Sequence, residues 1–152
     1  MDLSDADRRI LQALQADSRI SNQALAEQAG MSASACWRRV RALEDIGVIA
    51  GYPAVLDADR CGLAFSAIVH VTMTRHDASQ LDVFIERVAE RPEVLECYST
   101  TGEADYHLRV VCRDKEAYNA FLEGFMFRLP GIAHVRTNLI LKDIKQHGRL
   151  PV

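Results

Sequence analysis

Three arginines, Arg38, Arg39 and Arg41, follow closely on Ser32, Ser34 and Trp37. Guanidinium groups bind phosphate and read guanine bidentately. Small polar residues at a helix N-terminus let a backbone approach the major groove, so the cluster has the chemistry of a DNA contact. At about 100° per residue, Cys36, Val40 and Leu43 fall on one side of a helix with Ile46 at its edge. Ser34, Arg38, Arg41 and Asp45 fall on the other side, Trp37 lies at the boundary, and Arg39 flanks the apolar stripe. A solvated surface helix carries charges in the same way, so the reading depends on what precedes this one.

What precedes it is a short capped helix. Ser21 is a good N-cap for the Ala-rich run after it. Gly30 stops that run where a left-handed residue is needed. Ser32 then caps the arginine-bearing helix and Gly47 ends it. Two helices joined by a three-residue turn containing Gly form a helix-turn-helix pattern. Upstream, Ser4 with Asp7 three residues on resembles a capping box with Asp in place of Glu, and Ile10, Leu11 and Leu14 form an apolar face. The result is a three-helix unit small enough to need support from a neighbour.

The charge balance limits how such a unit can act. The chain of 152 residues carries a net charge of −3. In its first fifty residues Arg8, Arg9, Arg19, Arg38, Arg39 and Arg41 are outweighed by Asp2, Asp5, Asp7, Asp17, Glu27, Glu44 and Asp45. Contact with nucleic acid must therefore be local, and several copies are expected to bind together. The four cysteines, Cys36, Cys61, Cys97 and Cys112, form no C-x-x-C pair, which fits reduced intracellular usage. No apolar run is long enough to span a membrane and no signal peptide is evident, so a cytoplasmic protein with no membrane partner is expected.

After Gly47 the pattern changes. Val48 to Leu56 is β-prone with Pro53 as a break, and reads as a linker strand. Asp57 to Gly62 is turn-like. From Phe65 to Thr74 apolar and polar residues alternate with a period of two. Ser79 to Glu90 is helical, and Arg91-Pro92 ends it. Val94 to Thr101 and Tyr106 to Cys112 form a hairpin around Gly102-Glu103-Ala104-Asp105. Asp114 caps another helix, Leu129-Pro130-Gly131 breaks the chain, and Ile132 to Lys142 is a last strand. The order β-α-β-β-α-β is the ferredoxin-like pattern. The expected architecture is α+β, with a helix-turn-helix domain over 1–51, a linker strand and turn over 52–62, and a ferredoxin-like domain over 63–152. Two helices can cover only one face of the sheet. The other carries Ile68, Val111 and Ile140 among polar residues, and is expected to bury itself against a second copy.

Other chemistry is sparse. His70, His107 and His134 fall on neighbouring strands, on the face away from the helices. His70 lies mid-strand and the other two lie at strand starts, so the three are not expected to be level, which disfavours a metal site. No Gly-rich phosphate loop, nucleophile elbow or carboxylate pair stands out, and Cys97 and Cys112 lie in apolar strands. No enzymatic activity and no cofactor are expected. A metal-binding ferredoxin-like module is the alternative from a different class.

The chain resembles the leucine-responsive/asparagine (Lrp/AsnC) family of prokaryotic transcription regulators. The resemblance runs through Leu3–Leu11, Asp17–Ser21, Met31–Val40, Leu43–Tyr52, Pro92–Tyr98, Thr101–Tyr106 and Leu129–Ile132, with Thr137 downstream. Ala35 stands where many members have Pro. The resemblance implies sequence-specific binding of double-stranded DNA through the second helix of the motif, with Asn22, Gln23, Ser32, Ser34, Trp37, Arg38, Arg39 and Arg41 as the implied DNA-binding set. It implies dimers formed through the C-terminal sheets, assembling into an octamer of four dimers, and a small-molecule effector, most often an amino acid. That effector would lie against the hairpin turn, and Thr101, Gly102, Glu103, Asp105, Tyr106 and Thr137 are the implied binding set. Gly102 admits backbone N–H groups to a carboxylate, Asp105 can pair with an ammonium group, and Thr101 and Thr137 offer hydroxyls. Taken alone, the turn is also accounted for by ordinary hairpin chemistry. An architecture of this kind acting without an effector, or with one that is not an amino acid, is the alternative.

Overall fold

The computed structural model describes residues 2–74, 78–146 and 148–152. The chain divides into two compact units, Met1–Val55 with Ile144–Val152, and Leu56–Asp143.

The first unit contains three helices, α1 (Asp5–Ala16), α2 (Asn22–Ala29) and α3 (Ala33–Asp45). Each begins at the serine expected from sequence. Ser4, Ser21 and Ser32 accept from the backbone N–H groups of Asp7, Ala24 and Ala35, satisfying donors that a helix start leaves unpaired. At Ser4 the capping box is complete, because Asp7 Oδ2 accepts from the Ser4 N–H at 2.9 Å. Gly30 closes α2 in the left-handed region (φ +71°). Ile10, Leu25, Ala29, Cys36 and Leu43 are buried in one core, as the 3.6-residue period requires. Ile46 is exposed, because α3 has already ended at Asp45.

Asp7 is fully buried in this core. Its carboxylate accepts from Arg39 Nε at Oδ1 and from Arg39 Nη2 at Oδ2 (2.6 Å). The guanidinium, with the Ser4 bonds assisting, holds the carboxyl far below the usual carboxylate range against the opposing effect of burial. Arg9 Nε donates to the Ala29 carbonyl (3.0 Å) and Asn22 Nδ2 to the Ala33 carbonyl (2.9 Å), so polar bonds join α1 to α3, α1 to α2 and α2 to α3.

Two expectations change here. The expected linker strand over 48–56 is irregular, since Pro53 cannot donate to a ladder and the segment meets no partner strand within the described chain. Residues 144–152, expected with the second domain, group with the first unit. Gln12 Nε2 donates to the Val152 carbonyl (2.7 Å), and Gln15 exchanges bonds with the Leu150 backbone (2.6 and 3.2 Å). Two amides one helical turn apart thus grip the tail along α1.

The second unit is β1 (Phe65–Met73), α4 (Ala78–Ala89), β2 (Val94–Ser99), β3 (Tyr106–Cys112), α5 (Lys115–Gly124) and β4 (Ile132–Leu139), with a 3-10 turn at Met126–Arg128. The sheet is antiparallel in the order β2-β3-β1-β4, which is the ferredoxin-like arrangement. Ala67, Val69 and Val71 of β1 and Leu108 and Val110 of β3 are fully buried in one core with Phe84 of α4 and Phe121 of α5. The alternate residues Ile68, His70, His107 and Arg109 occupy the other face and are half-buried, as the two-residue period dictates. Val111, on that same face, is buried. β4 ends at Leu139, three residues short of the expected Lys142.

Replacing Asp7 with Asn keeps the shape but removes the charge that Arg39 faces. The variant should lose about 2 kcal/mol at neutral pH, less than a fully buried pair because Arg39 is half-exposed. Asp7 has its carboxyl depressed in the folded state, so its contribution is complete above the ordinary value of 3.8 and is lost as the pH falls through the folded value. Urea unfolding followed by the single tryptophan, Trp37, should therefore show a constant gap between wild type and variant from pH 8 to about pH 5, narrowing below about pH 4.

Candidate DNA-binding face and ligand cleft

The exposed side of α3 carries Ser34, Trp37, Arg38 and Arg41. Trp37 is 55% exposed, an unusual position for an indole in a helix whose back is buried. The Arg41 guanidinium lies 5.6 Å above its ring and 3.2 Å from Glu44 Oε2. Ser34 Oγ is 3.3 Å from the capping Ser32 Oγ. Gln23 is exposed near the start of α2. Two of the expected DNA-binding residues have other work. Asn22 is bonded to the first turn of α3, and Arg39 is held on Asp7. Arg39 flanks the apolar stripe, so its head reaches the buried carboxylate. An Asp amid the apolar face of α1 was the sequence signal for such a partner.

The second unit has a cleft of about 720 Å³ where the end of β1 meets the β2–β3 hairpin. It is lined by Thr72, Met73, Thr74, Gln80, Leu81, Ser99, Thr100, Asp105, Tyr106 and Gly131, together with Ala78. Asp105 builds one wall. Its N–H donates to the Val71 carbonyl (3.0 Å), and its Oδ2 accepts from the Met73 N–H (2.7 Å). Thr100 closes the hairpin, its N–H donating to the Asp105 carbonyl (3.0 Å) and its hydroxyl to the Ala104 carbonyl (3.1 Å). Gly131 lies opposite at φ +78°, where a Cβ would come within 2.8 Å of Gln80 Oε1 and 3.2 Å of the Met73 methyl. Its carbonyl accepts from the Thr74 N–H (2.6 Å) and hydroxyl (3.1 Å). A side chain there is strained by the left-handed backbone and would push the flexible ends of Gln80 and Met73 aside.

Of the six expected effector residues, Asp105 and Tyr106 line this cleft. Thr101, Gly102 and Glu103 form the exposed hairpin tip outside it, with Glu103 3.7 Å from Arg136. Thr137 lies opposite Val69 on the helix-covered face, 2.5 Å from the Tyr118 hydroxyl. Sequence reasoning missed Thr72, Met73, Gln80, Leu81, Ser99 and Thr100, which come together only when strand ends meet. The Pro130-Gly131 break was the one local hint. The arrangement offers a carboxylate, several hydroxyls and an apolar wall of Met73, Leu81 and Tyr106, which suits a small molecule with an ammonium group and an apolar side chain.

The histidines differ from expectation. His70 sits directly opposite His107 across β1 and β3, with ring centroids 4.7 Å apart in an edge-to-face arrangement, so these two are level. His134 is opposite Thr72. Among the described residues no three His, Cys, Asp or Glu side chains are grouped to hold a metal ion. Cys112 is buried, and burial first, then Glu93 and Asp114, pushes its thiol up; Cys97 is exposed on the edge strand β2. No described helix is long and apolar enough to cross a membrane.

Residues 66–150 match the Lrp/AsnC ligand binding domain, and residues 3–50 a winged helix-turn-helix DNA-binding domain. The chain is 38% identical over 151 residues to the Bkd operon transcriptional regulator of Pseudomonas aeruginosa, covering 99% of both chains. It is 36% identical over 151 residues to the leucine-responsive regulatory protein of Escherichia coli, covering 99% of this chain and 92% of that one. Among solved structures, a transcriptional regulator of Neisseria meningitidis in complex with L-methionine superposes with a TM-score of 0.94 at 33% identity, covering 99% of this chain and 97% of the other. An AsnC family regulator of Agrobacterium tumefaciens superposes with a TM-score of 0.92 at 36% identity, covering 98% and 97%. With one family matching its DNA-binding helices and another its ligand-binding sheet, this chain belongs to the Lrp/AsnC family of transcriptional regulators.

Proposed function

We propose that this regulator presents α3 of residues 1–51 to successive major grooves as a dimer built on the open face of its sheet. Dimers assemble further, with an octamer of four as the expected closed form. An amino acid in the cleft changes which assembly, and so which set of half-sites, is favoured. The linker over 52–62 joins this domain to the effector-binding domain, which runs from 63 to Asp143 with the tail over 144–152 returned to the first unit, and the protein works in the cytoplasm. The cleft carries this reading: it sets Asp105 against hydroxyls and an apolar wall, and relatives over nearly the whole chain are named for leucine response or solved with L-methionine. Weak acidic monomers gain operator affinity by avidity, and an effector that binds one assembly better shifts the population toward it.

On α3, Arg38 and Arg41 are the assigned contacts, with Trp37 beside them. Against a duplex selected by the protein from a random library, Arg38→Ala should weaken binding by about 1–3 kcal/mol, and Arg41→Ala should reduce the salt slope by about one. Unchanged titrations across a salt series would remove α3 from the role. For the cleft, L-methionine and L-leucine should raise the melting temperature of the purified protein more than the other amino acids do. Asp105→Asn keeps an oxygen for the Met73 N–H but loses the charge. It should abolish that rise while leaving DNA binding without effector intact. A surviving response places the ammonium contact elsewhere.

A further inference from the structure

The open face of the sheet holds polar atoms out of place. Ser66 Oγ, His70 Nδ1 and Arg109 Nε are buried and have no hydrogen-bond partner among the described residues. All three belong to the residues of β1 and β3 that point away from the helices. His70 faces positive or potentially positive groups on both sides. Across β3 lie His107, at 4.7 Å between rings, and Arg109. Across β4 lies Arg136, with Asn138 Nδ2 3.2 Å from His70 Nε2 and His134 opposite Thr72. On β2, Tyr98 is opposite His107 and Glu96 opposite Arg109. Of the carboxylates nearby, Asp143 is engaged with Arg109 (3.2 Å) and Glu103 with Arg136 (3.7 Å), while Glu96 is hydrogen-bonded to the Tyr98 hydroxyl.

We propose that the His70–His107 pair makes self-association through the open sheet face sensitive to mild acid. This rests on the sheet-face dimer proposed above. Protonating one imidazole puts a charge against the other ring and between two arginines. A second copy covering the face removes the water that would screen that charge. Assembly therefore demands neutral rings. The same arginines oppose a metal cation here, which leaves protonation as the chemistry of the pair. Within one chain the tendency is already present: burial first, then His107, then Arg136 hold His70 below the ordinary imidazole value, with Glu103 opposing weakly. For a group depressed in this way, the stabilisation is complete above the ordinary value of 6.5 and is lost as the pH falls through the depressed one.

Sedimentation velocity of the full chain between pH 8 and pH 5.5, with circular dichroism to confirm folding, tests this. The wild-type dimer dissociation constant should rise about tenfold or more across the range, while His70→Gln/His107→Gln should stay associated with little change. A flat wild-type profile, or a double variant that dissociates in acid as the wild type does, overturns the proposal. A folded wild type that is monomeric at pH 8 overturns instead the sheet-face dimer on which it rests. Should the double variant be folded but monomeric at pH 8, His107→Gln alone decides. A shallower pH dependence supports the pair and an unchanged one overturns it.

Discussion

The DNA-binding unit depends on one buried charge. Asp7 has no exposure, and a carboxylate in that position is stable only if it is paired and hydrogen-bonded. Ser4 answers from the same helix start and Arg39 from α3. One side chain therefore completes the cap of α1 and fixes where α3 sits against it. That bond also draws Arg39 inward, which leaves Arg38 and Arg41 with Trp37 as the outward set. The outward face of α3 proposed to meet DNA is set by which arginine the core takes.

In the second unit the constraint is steric. The cleft exists because three backbones approach one another where β1 ends, and they are held by two main-chain bonds, Asp105 N–H on the Val71 carbonyl and Thr74 N–H on the Gly131 carbonyl, and by the Met73 N–H on the Asp105 carboxylate. Gly131 suits that approach because its backbone is left-handed, a conformation L side chains rarely adopt, and a Cβ there would also displace the side chains of Gln80 and Met73. Asp105 thus serves as both strut and charge. Under the proposed effector reading, a residue already committed to the frame would need no ordering when a ligand arrives, which lowers the entropic cost of binding.

Much of this was legible in the sequence, because capping and periodicity are local. Ser4, Ser21, Ser32 and Asp114 each cap the helix expected of them, and alternation over 65–74 identified the central strand. What was not legible depends on register and on tertiary partners. Strand spacing alone does not say that His70 meets His107, nor that Thr137 turns to Tyr118 and away from the cleft. A helical wheel places Arg39 on a flank without naming Asp7 as its destination. The tail over 144–152 reads as polar and featureless, yet Gln12 and Gln15 hold its backbone.

The sheet also suggests how effector and assembly can communicate. Successive residues of a strand point to opposite faces. On β3, Tyr106 lines the cleft and His107 faces the open side. On β1, Val71 receives the Asp105 N–H and the preceding His70 meets His107. Cleft and open face are therefore adjacent positions on the same two strands, bonded through one ladder. On the proposed reading, an effector that pulled on Asp105 or Tyr106 would act on the backbone that aims His70 and His107, with no intervening chain of side chains needed. A close-packed sheet cannot absorb a displacement on one face alone, so the proposed effector cleft and the proposed assembly face share one mechanical element, and coupling between them would have a physical route in β1 and β3.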